Sequence, residues 1–185
     1  MTIQIRRRYV LLHAERESAW QAYTQAMEPT RALAAQRHML TREEFDGICW
    51  NGRISKALAV DTDTGNVVGI AVYTRHLDAY DWIEPAYFER RWPDAYKREA
   101  IIYVLFVIAT EAAPPEVFTK LVNTVVAKIR ALCGVGALDW SQARVDRGLA
   151  RAARLIIARQ QPIVAEHIDT QHFHTYEFDW EHTTS

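Results

Sequence analysis

The sequence predicts an α+β fold, a mixed and mostly antiparallel central sheet flanked by helices on both faces. Three stretches carry that prediction. Residues 100–108 read Ala-Ile-Ile-Tyr-Val-Leu-Phe-Val-Ile with no charge, a β-branched and aromatic run that suits a strand buried on both sides. Residues 116–132 place Val117, Phe118, Leu121, Val122, Val125, Val126, Ile129 and Leu132 at intervals of three and four, one wide apolar stripe along a helix. Residues 55–60 and 67–74 are apolar runs either side of an Asp/Thr/Gly/Asn turn, the pattern of an antiparallel hairpin.

The remaining elements follow in chain order. Residues 3–12 predict a first strand, with Arg6, Arg7 and Arg8 at a solvated end. Ser18 is placed to cap a helix running to about Met27, and Pro29 breaks it. Residues 31–39 read as a second helical piece. Thr41 and Glu44 have capping-box spacing, with Phe45, Ile48 and Cys49 as the buried face behind them. Residues 75–98 read as a long irregular loop. Its aromatics, Tyr80, Trp82, Tyr87, Phe88, Trp92 and Tyr96, predict that it folds over the sheet and walls a cleft. Pro114 and Pro115 end the central strand, since proline has no N–H for the ladder, and Pro115 suits a first helical turn. Residues 137–140 then read as a short strand, 145–159 as a helix, and 163–169 with 173–180 as two final strands.

Composition narrows the function classes. A formal charge of -1 gives no general attraction to nucleic acid or to an anionic membrane. No apolar run reaches the roughly 18 residues of a membrane span. Cys49 and Cys133 have neither metal spacing nor a disulfide framework, and read as buried reduced thiols of a cytoplasmic protein. His172 and His174 share one face of a predicted strand, but no third ligand follows, so no metal site is expected. Residues 1–185 read as one domain.

The order β-α-α-β-β-β-α-β-α-β-β resembles the GNAT (Gcn5-related N-acetyltransferase) superfamily. The residues that carry the resemblance are the hairpin 56–74, the strand–turn–helix 101–132, residues 137–140 with the helix after them, and the terminal pair 163–178. It implies a GNAT-like sheet in which the parallel strands 101–108 and 137–140 splay apart. It also implies transfer of an acyl group, from acetyl-CoA or another acyl-CoA, to a small amine substrate. A homodimer is compatible with it.

The superfamily's Arg/Gln-x-x-Gly-x-Gly/Ala motif, whose N–H groups hold the coenzyme A pyrophosphate, is not matched. Residues 110–116 read Thr-Glu-Ala-Ala-Pro-Pro-Glu, with no glycine, two prolines and two acids. A non-catalytic GNAT-like module, binding a small ligand or a partner protein in the cleft, therefore stands beside the enzyme reading. On the resemblance, Glu111 is the candidate base and Tyr103 flanks it. The last helix has no tyrosine to serve as the acid. The splay leaves backbone groups of Val107, Ile108 and Ala109 to face the donor, with Ser141 opposite. Arg37, His38, His76, Trp82, Asp139 and Trp140 are the candidate substrate contacts.

Overall fold

The computed structural model describes residues 1–33, 37, 39–160, 163–170, 172 and 174. Its strands are β1 (Ile3–Arg8), β2 (Ile54–Asp61), β3 (Val67–Thr74), β4 (Ile101–Ala109) and β5 (Val135–Ala137). Its helices are α1 (His13–Met27), α2 (Arg42–Trp50), α3 (Pro85–Arg91), α4 (Pro93–Lys97), α5 (Glu116–Ala131), α6 (Gln142–Asp146) and α7 (Leu149–Ala158). The strands form one sheet in the order β1-β2-β3-β4-β5, antiparallel except for the parallel β4–β5 pair. No helix among the described residues is long and apolar enough to cross a membrane.

Side-chain alternation divides the core between the two faces. Leu58, Val60, Ile70, Val72 and Ile108 pack under α1 and α2, against Tyr23, Met27, Phe45 and Ile48. Ala57, Ala59, Ala71, Ile102 and Val104 face α5, against Val117, Leu121 and Val125. Small residues on the α5 face let that helix lie close. A Cβ on Gly69 would come within 2.9 Å of Val117 Cγ1 and 3.0 Å of Leu121 Cδ1. A bulge places Val104 opposite Tyr73 and Phe106 opposite Val72, with Leu105 as the extra residue. The bulge switches the parity of β4, so Val104 faces α5 while Phe106 packs with Tyr23.

The hairpin, β4, α5 and the capping box lie where the sequence places them. Thr41 accepts from the Glu44 N–H at 3.2 Å, and Glu44 accepts from the Thr41 N–H at 2.6 Å. Other expectations are corrected. β1 stops at Arg8 because the next residues turn to α2: Lys56 Nζ donates to Tyr9 O at 2.7 Å and Asn51 O at 2.8 Å, and Leu11 N–H to Cys49 O at 3.1 Å. The first helix begins at His13, and Ser18 Oγ instead accepts from the Val67 N–H at 2.8 Å. Residues 28–30 form a 3-10 turn; residues 34–36 and 38, within the second helical piece, lie outside the described residues.

The 75–98 stretch is not an irregular loop. It holds a 3-10 turn, α3 and α4, each of the two helices opening on a proline, with Glu84 accepting from the Ala86 N–H. Phe88 is buried, Trp92 is half-buried, and Trp82 and Tyr87 are exposed rather than walling a cleft. The short strand sits two residues earlier than expected, at Val135–Ala137. The 145–159 helix divides at Gly148, whose φ of 77° breaks it into α6 and α7. Residues 163–169 form no strand. They lie along α3, with the Tyr87 hydroxyl donating to Ile168 O at 2.9 Å and Arg91 paired with Glu166. Residues 173–180 lie outside the described residues, His174 excepted. Cys133 is exposed, not buried, whereas the buried Cys49 thiol is pushed up to about 12 by loss of water.

Two predictions follow from packing and burial. A Cβ on Gly134 would lie 2.0 Å from Ala100 O, the carbonyl that accepts the first β5 hydrogen bond from Val135 N–H. Gly134→Ala should cost about 2 kcal/mol or more in chemical denaturation. Gly47→Ala, on an exposed helical site with nothing within 4 Å, should stabilise by about 0.5–1 kcal/mol. The second concerns Lys56, fully buried in β2, where desolvation lowers its pKa from 10.5 to about 8. Between those values the unfolded chain binds more protons than the folded one, so this group's contribution makes stability rise with pH from 8 to 10.5. The wild type should gain on the order of 2 kcal/mol over that window relative to Lys56→Met, measured by urea unfolding; parallel curves would refute it.

Candidate functional site

The site is built where β4 and β5 part. The ladder lasts three residues, Ile101 opposite Val135, Ile102 opposite Gly136 and Tyr103 opposite Ala137. Beyond Tyr103, β4 has no strand on that side among the described residues. On its other side β4 remains paired with β3 as far as Ala109. The Thr110 N–H donates to Val68 O at 2.9 Å. Alternation from that bond turns the backbone groups of Ile108 towards β3 and those of Val107 and Ala109 away from it. Of the three residues expected to face a donor, two therefore present N–H and C=O groups on the open side. Ile108 is buried in the α1 core.

Two expected site residues meet at the vertex of the opening. The Tyr103 hydroxyl donates to Asp139 Oδ1 at 3.0 Å, one side chain from the last paired residue of β4 and the other from the chain just past β5. Burial first, then the charge and hydrogen bond of Asp139, push the Tyr103 phenol well above its usual range, so it stays a proton donor. Phe88 of α3 meets it edge-on, with ring centroids 6.0 Å apart. Trp140 and Ser141 follow directly and are half-buried, and the Ser141 carbonyl accepts from the Arg144 N–H at 2.9 Å.

The other expected residues are dispersed. Glu111 is exposed in the turn after β4, eight residues beyond Tyr103, or about 25 Å along an extended strand. Arg37 is turned towards α2, pairing with Glu44 at 2.7 Å and donating to Met39 O at 3.0 Å. His76 lines an open cavity of about 700 Å³ at the far end of the sheet, with Arg53, Asp78 and Glu99. Trp82 lies on a separate depression of about 220 Å³ with Glu44 and Tyr80. His38 lies outside the described residues.

Beneath the α1 face of the opening lie residues that sequence reasoning did not place in the site. The Tyr23 ring packs on Phe106 at 5.0 Å, and its hydroxyl accepts from the Leu40 N–H at 2.8 Å. Arg144 of α6 reaches in from the other side, its Nη2 at 2.8 Å from Met27 Sδ. Tyr80 lies near enough for Tyr23, Asp139 and Tyr103 all to act on it, and burial pushes its phenol up. Nothing in the sequence marks Arg144, one of five arginines between residues 144 and 159.

A fold of this kind implies coenzyme A, and the turn after β4 tests the fit. The amides of Thr110, Ala113 and Val117 already donate to Val68 O, Thr110 O and Pro114 O. Pro114 and Pro115 have none. Glu111 and Glu116 are exposed at the start of α5, where the helix dipole is already complemented by a carboxylate. A pyrophosphate placed there would meet two negative side chains and a depleted set of donors. These residues do not fit it.

No protein-family model matches the sequence, and no curated protein matches it. Solved structures do resemble it in shape. A ribosomal-protein-alanine N-acetyltransferase from Brucella melitensis biovar Abortus 2308 matches with a TM-score of 0.51 at 11% identity, over 93% of this chain and 100% of that one. An aminoglycoside acetyltransferase from an uncultured soil metagenomic sample, in complex with sisomicin, matches with a TM-score of 0.53 at 12% identity, over 95% and 97%. AAC(6')-Iy in complex with the bisubstrate analog CoA-S-monomethyl-acetylneamine matches with a TM-score of 0.52 at 10% identity, over 95% and 100%.

The vertex pair has a direct test. Replacing Asp139 by Asn removes a charge that raises the Tyr103 phenol. In ultraviolet titration tyrosine should ionise at lower pH in Asp139→Asn than in the wild type, and most of the difference should be lost in a Tyr103→Phe background, leaving only the weaker effect of Asp139 on Tyr80. Superimposable curves would disprove the coupling. With the short β4–β5 ladder, the bulged β4, the helices on both faces and these neighbours together, the chain has the GNAT fold.

Proposed function

We propose that this protein is a divergent N-acyltransferase, moving an acyl group from a thioester donor to a small amine. The observation that supports it best is the opening past the vertex, where the Tyr103–Asp139 pair closes one end and the outward-facing amides of Val107 and Ala109 lie about 13 and 20 Å further along β4. Those amides would hold the peptide-like arm of an acyl-pantetheine donor, as an added strand would be held. Asp139 is the base in this reading: it takes a proton from the amine as the C–N bond forms, the thioester C–S bond breaks, and the leaving sulfur departs as a thiol, protonated from the Tyr103 hydroxyl, which regains its proton from Asp139. Tyr103 orients Asp139 and offers a protonated hydroxyl at the same point. Glu111, about 25 Å further along the strand, has no part in this chemistry.

The neighbours named above include acetyltransferases, one of them solved with the bisubstrate analog CoA-S-monomethyl-acetylneamine, which supports the reaction class by analogy of fold. The acidic, proline-bearing turn favours a donor recognised by its acyl-pantetheine arm and not by its phosphates. The same turn is also the observation that favours the second reading, a non-catalytic module that keeps the fold and binds a ligand in the opening.

Thermal denaturation with two donors separates them. At about 100-fold excess over Kd, a donor that binds only the folded state adds about 2.7 kcal/mol. S-acetyl-pantetheine and acetyl-CoA should raise Tm by several degrees and by equal amounts at matched saturation, with Kd values within about threefold. A shift with acetyl-CoA alone would show that the phosphates are recognised after all. No shift with either donor, or with longer acyl chains, would leave the non-catalytic module.

A further inference from the structure

The depression between α2 and the chain that follows β3 has no part in acyl transfer, and its chemistry is its own. It encloses about 220 Å³. Leu40, Ile48 and Ile54 line it and are themselves buried, so its floor is apolar. From α2 it is lined by Gly47, where a Cβ would meet nothing within 4 Å, so the helix sends no side chain in at that point. The segment after β3 contributes two rings. Tyr80 and Trp82 both line the depression, with centroids 5.0 Å apart and planes at 70°, so their faces form a corner. Trp82 remains 59% exposed.

The face of an aromatic ring carries partial negative charge and attracts a cation. Elsewhere in this chain an arginine fills that position. Arg16 lies over Trp50 at 4.6 Å, Arg42 over Trp20 at 5.6 Å and Arg91 over Trp92 at 5.6 Å. Among the described residues no cation of this chain lies over Tyr80 or Trp82, and none lines the depression. The charged side chains that do line it, among the described residues, are both carboxylates. Glu44 is already matched, accepting from Arg37 at 2.7 Å and from the Thr41 N–H at 2.6 Å. Asp81 is exposed and, among the described residues, has no ion-pair partner. A metal ion or a primary ammonium needs several oxygens in place of its water, and one unmatched carboxylate does not supply them. A cation clothed in methyl groups needs none. It can rest on an apolar floor with ring faces around it and a carboxylate near by.

We infer that this depression is a binding site for a small quaternary ammonium ligand, with Tyr80 and Trp82 as its ring faces and Asp81 as its counter-charge. A fully alkylated nitrogen has no proton to lose and cannot be acylated. The ligand is therefore distinct from the amine that the acyl-transfer reading requires, and the site stands whether or not that reading holds.

The test is proton–nitrogen NMR of the full chain, following the Gly47 amide and the Trp82 indole N–H through titrations with choline, ethanolamine and neohexyl alcohol. Neohexyl alcohol has the shape of choline without its charge, and ethanolamine has the charge without the methyl groups. Choline should move both signals to saturation and bind at least about tenfold more tightly than either of the others. Trp82→Ala should weaken choline at least about tenfold, read at the Gly47 amide, and Trp82→Phe should keep part of the affinity. Asp81→Asn should weaken it about threefold or more. Thermal denaturation checks that each variant folds; if Trp82→Ala does not, Asp81→Asn and the wild-type comparison decide. Equal affinity for choline and neohexyl alcohol would reduce the site to an apolar hollow and overturn the inference. Tighter binding of ethanolamine, no shift of either signal at about 50 mM choline, or unchanged affinity in a folded Trp82→Ala would overturn it as well. None of these results bears on acyl transfer, whose own test reads thioester donors.

Discussion

The β4–β5 ladder can begin only because Gly134 has no Cβ, which lets the chain meet the Ala100 carbonyl. Three paired residues later the strands part. The backbone of β4 past that point cannot change its mind about direction: Val107 and Ala109 turn their polar groups outward because Ile108 and Thr110 are committed to β3. Buried backbone groups need partners, so an opening of this kind must be filled by something with hydrogen-bonding capacity. The Tyr103–Asp139 bond then closes the vertex, and α6 brings Arg144 to the α1 face of the same region.

The two faces of the sheet solve different problems. The α5 face uses alanines and Gly69 to bring a long amphipathic helix close, which fixes where that helix begins and hence where the turn after β4 must run. The α1–α2 face uses larger residues, with Tyr23 and Phe45 filling the space under the helices. The bulge at Leu105 hands the even-numbered residues of β4 from the first face to the second. It explains why residues 100–108 read as an unbroken apolar run with no preferred side: both parities meet a helix.

Legibility in the sequence tracked how local the causes are. The capping box, the hairpin turn and the period of α5 depend on residues within one or two turns of chain, and each was readable. Glu84-Pro85 and Trp92-Pro93 are local helix starts too, but the aromatics and acids around them make 75–98 read as an irregular loop. Residues 163–169 carry the β-branched Ile163, Val164 and Ile168 and read as a strand, yet a strand needs a partner and α3 lies there instead. At the site, Tyr103 and Asp139 were visible because they flank predicted strand ends. Arg144 was not, because its burial depends on where a Gly148 break lets α6 turn, and on a methionine 117 residues away in sequence.

The free edge of the sheet has a consequence for self-association. β1 pairs with β2 on one side, and among the described residues no strand lies on the other. Arg6, Arg7 and Arg8 occupy half of that strand; Arg8 is paired with Glu15 at 2.8 Å, while Arg7 is exposed. A second copy extending the sheet antiparallel at this edge would bring a second arginine triplet into the same seam, at its other end, with a single nearby carboxylate for each. Like charges brought together at an unpaired strand are a common guard against edge-to-edge growth. Two copies of this chain that meet in solution are therefore steered away from a continuous ten-stranded sheet and towards helical or loop surfaces, and crowding the protein should concentrate it without templating fibres from β1.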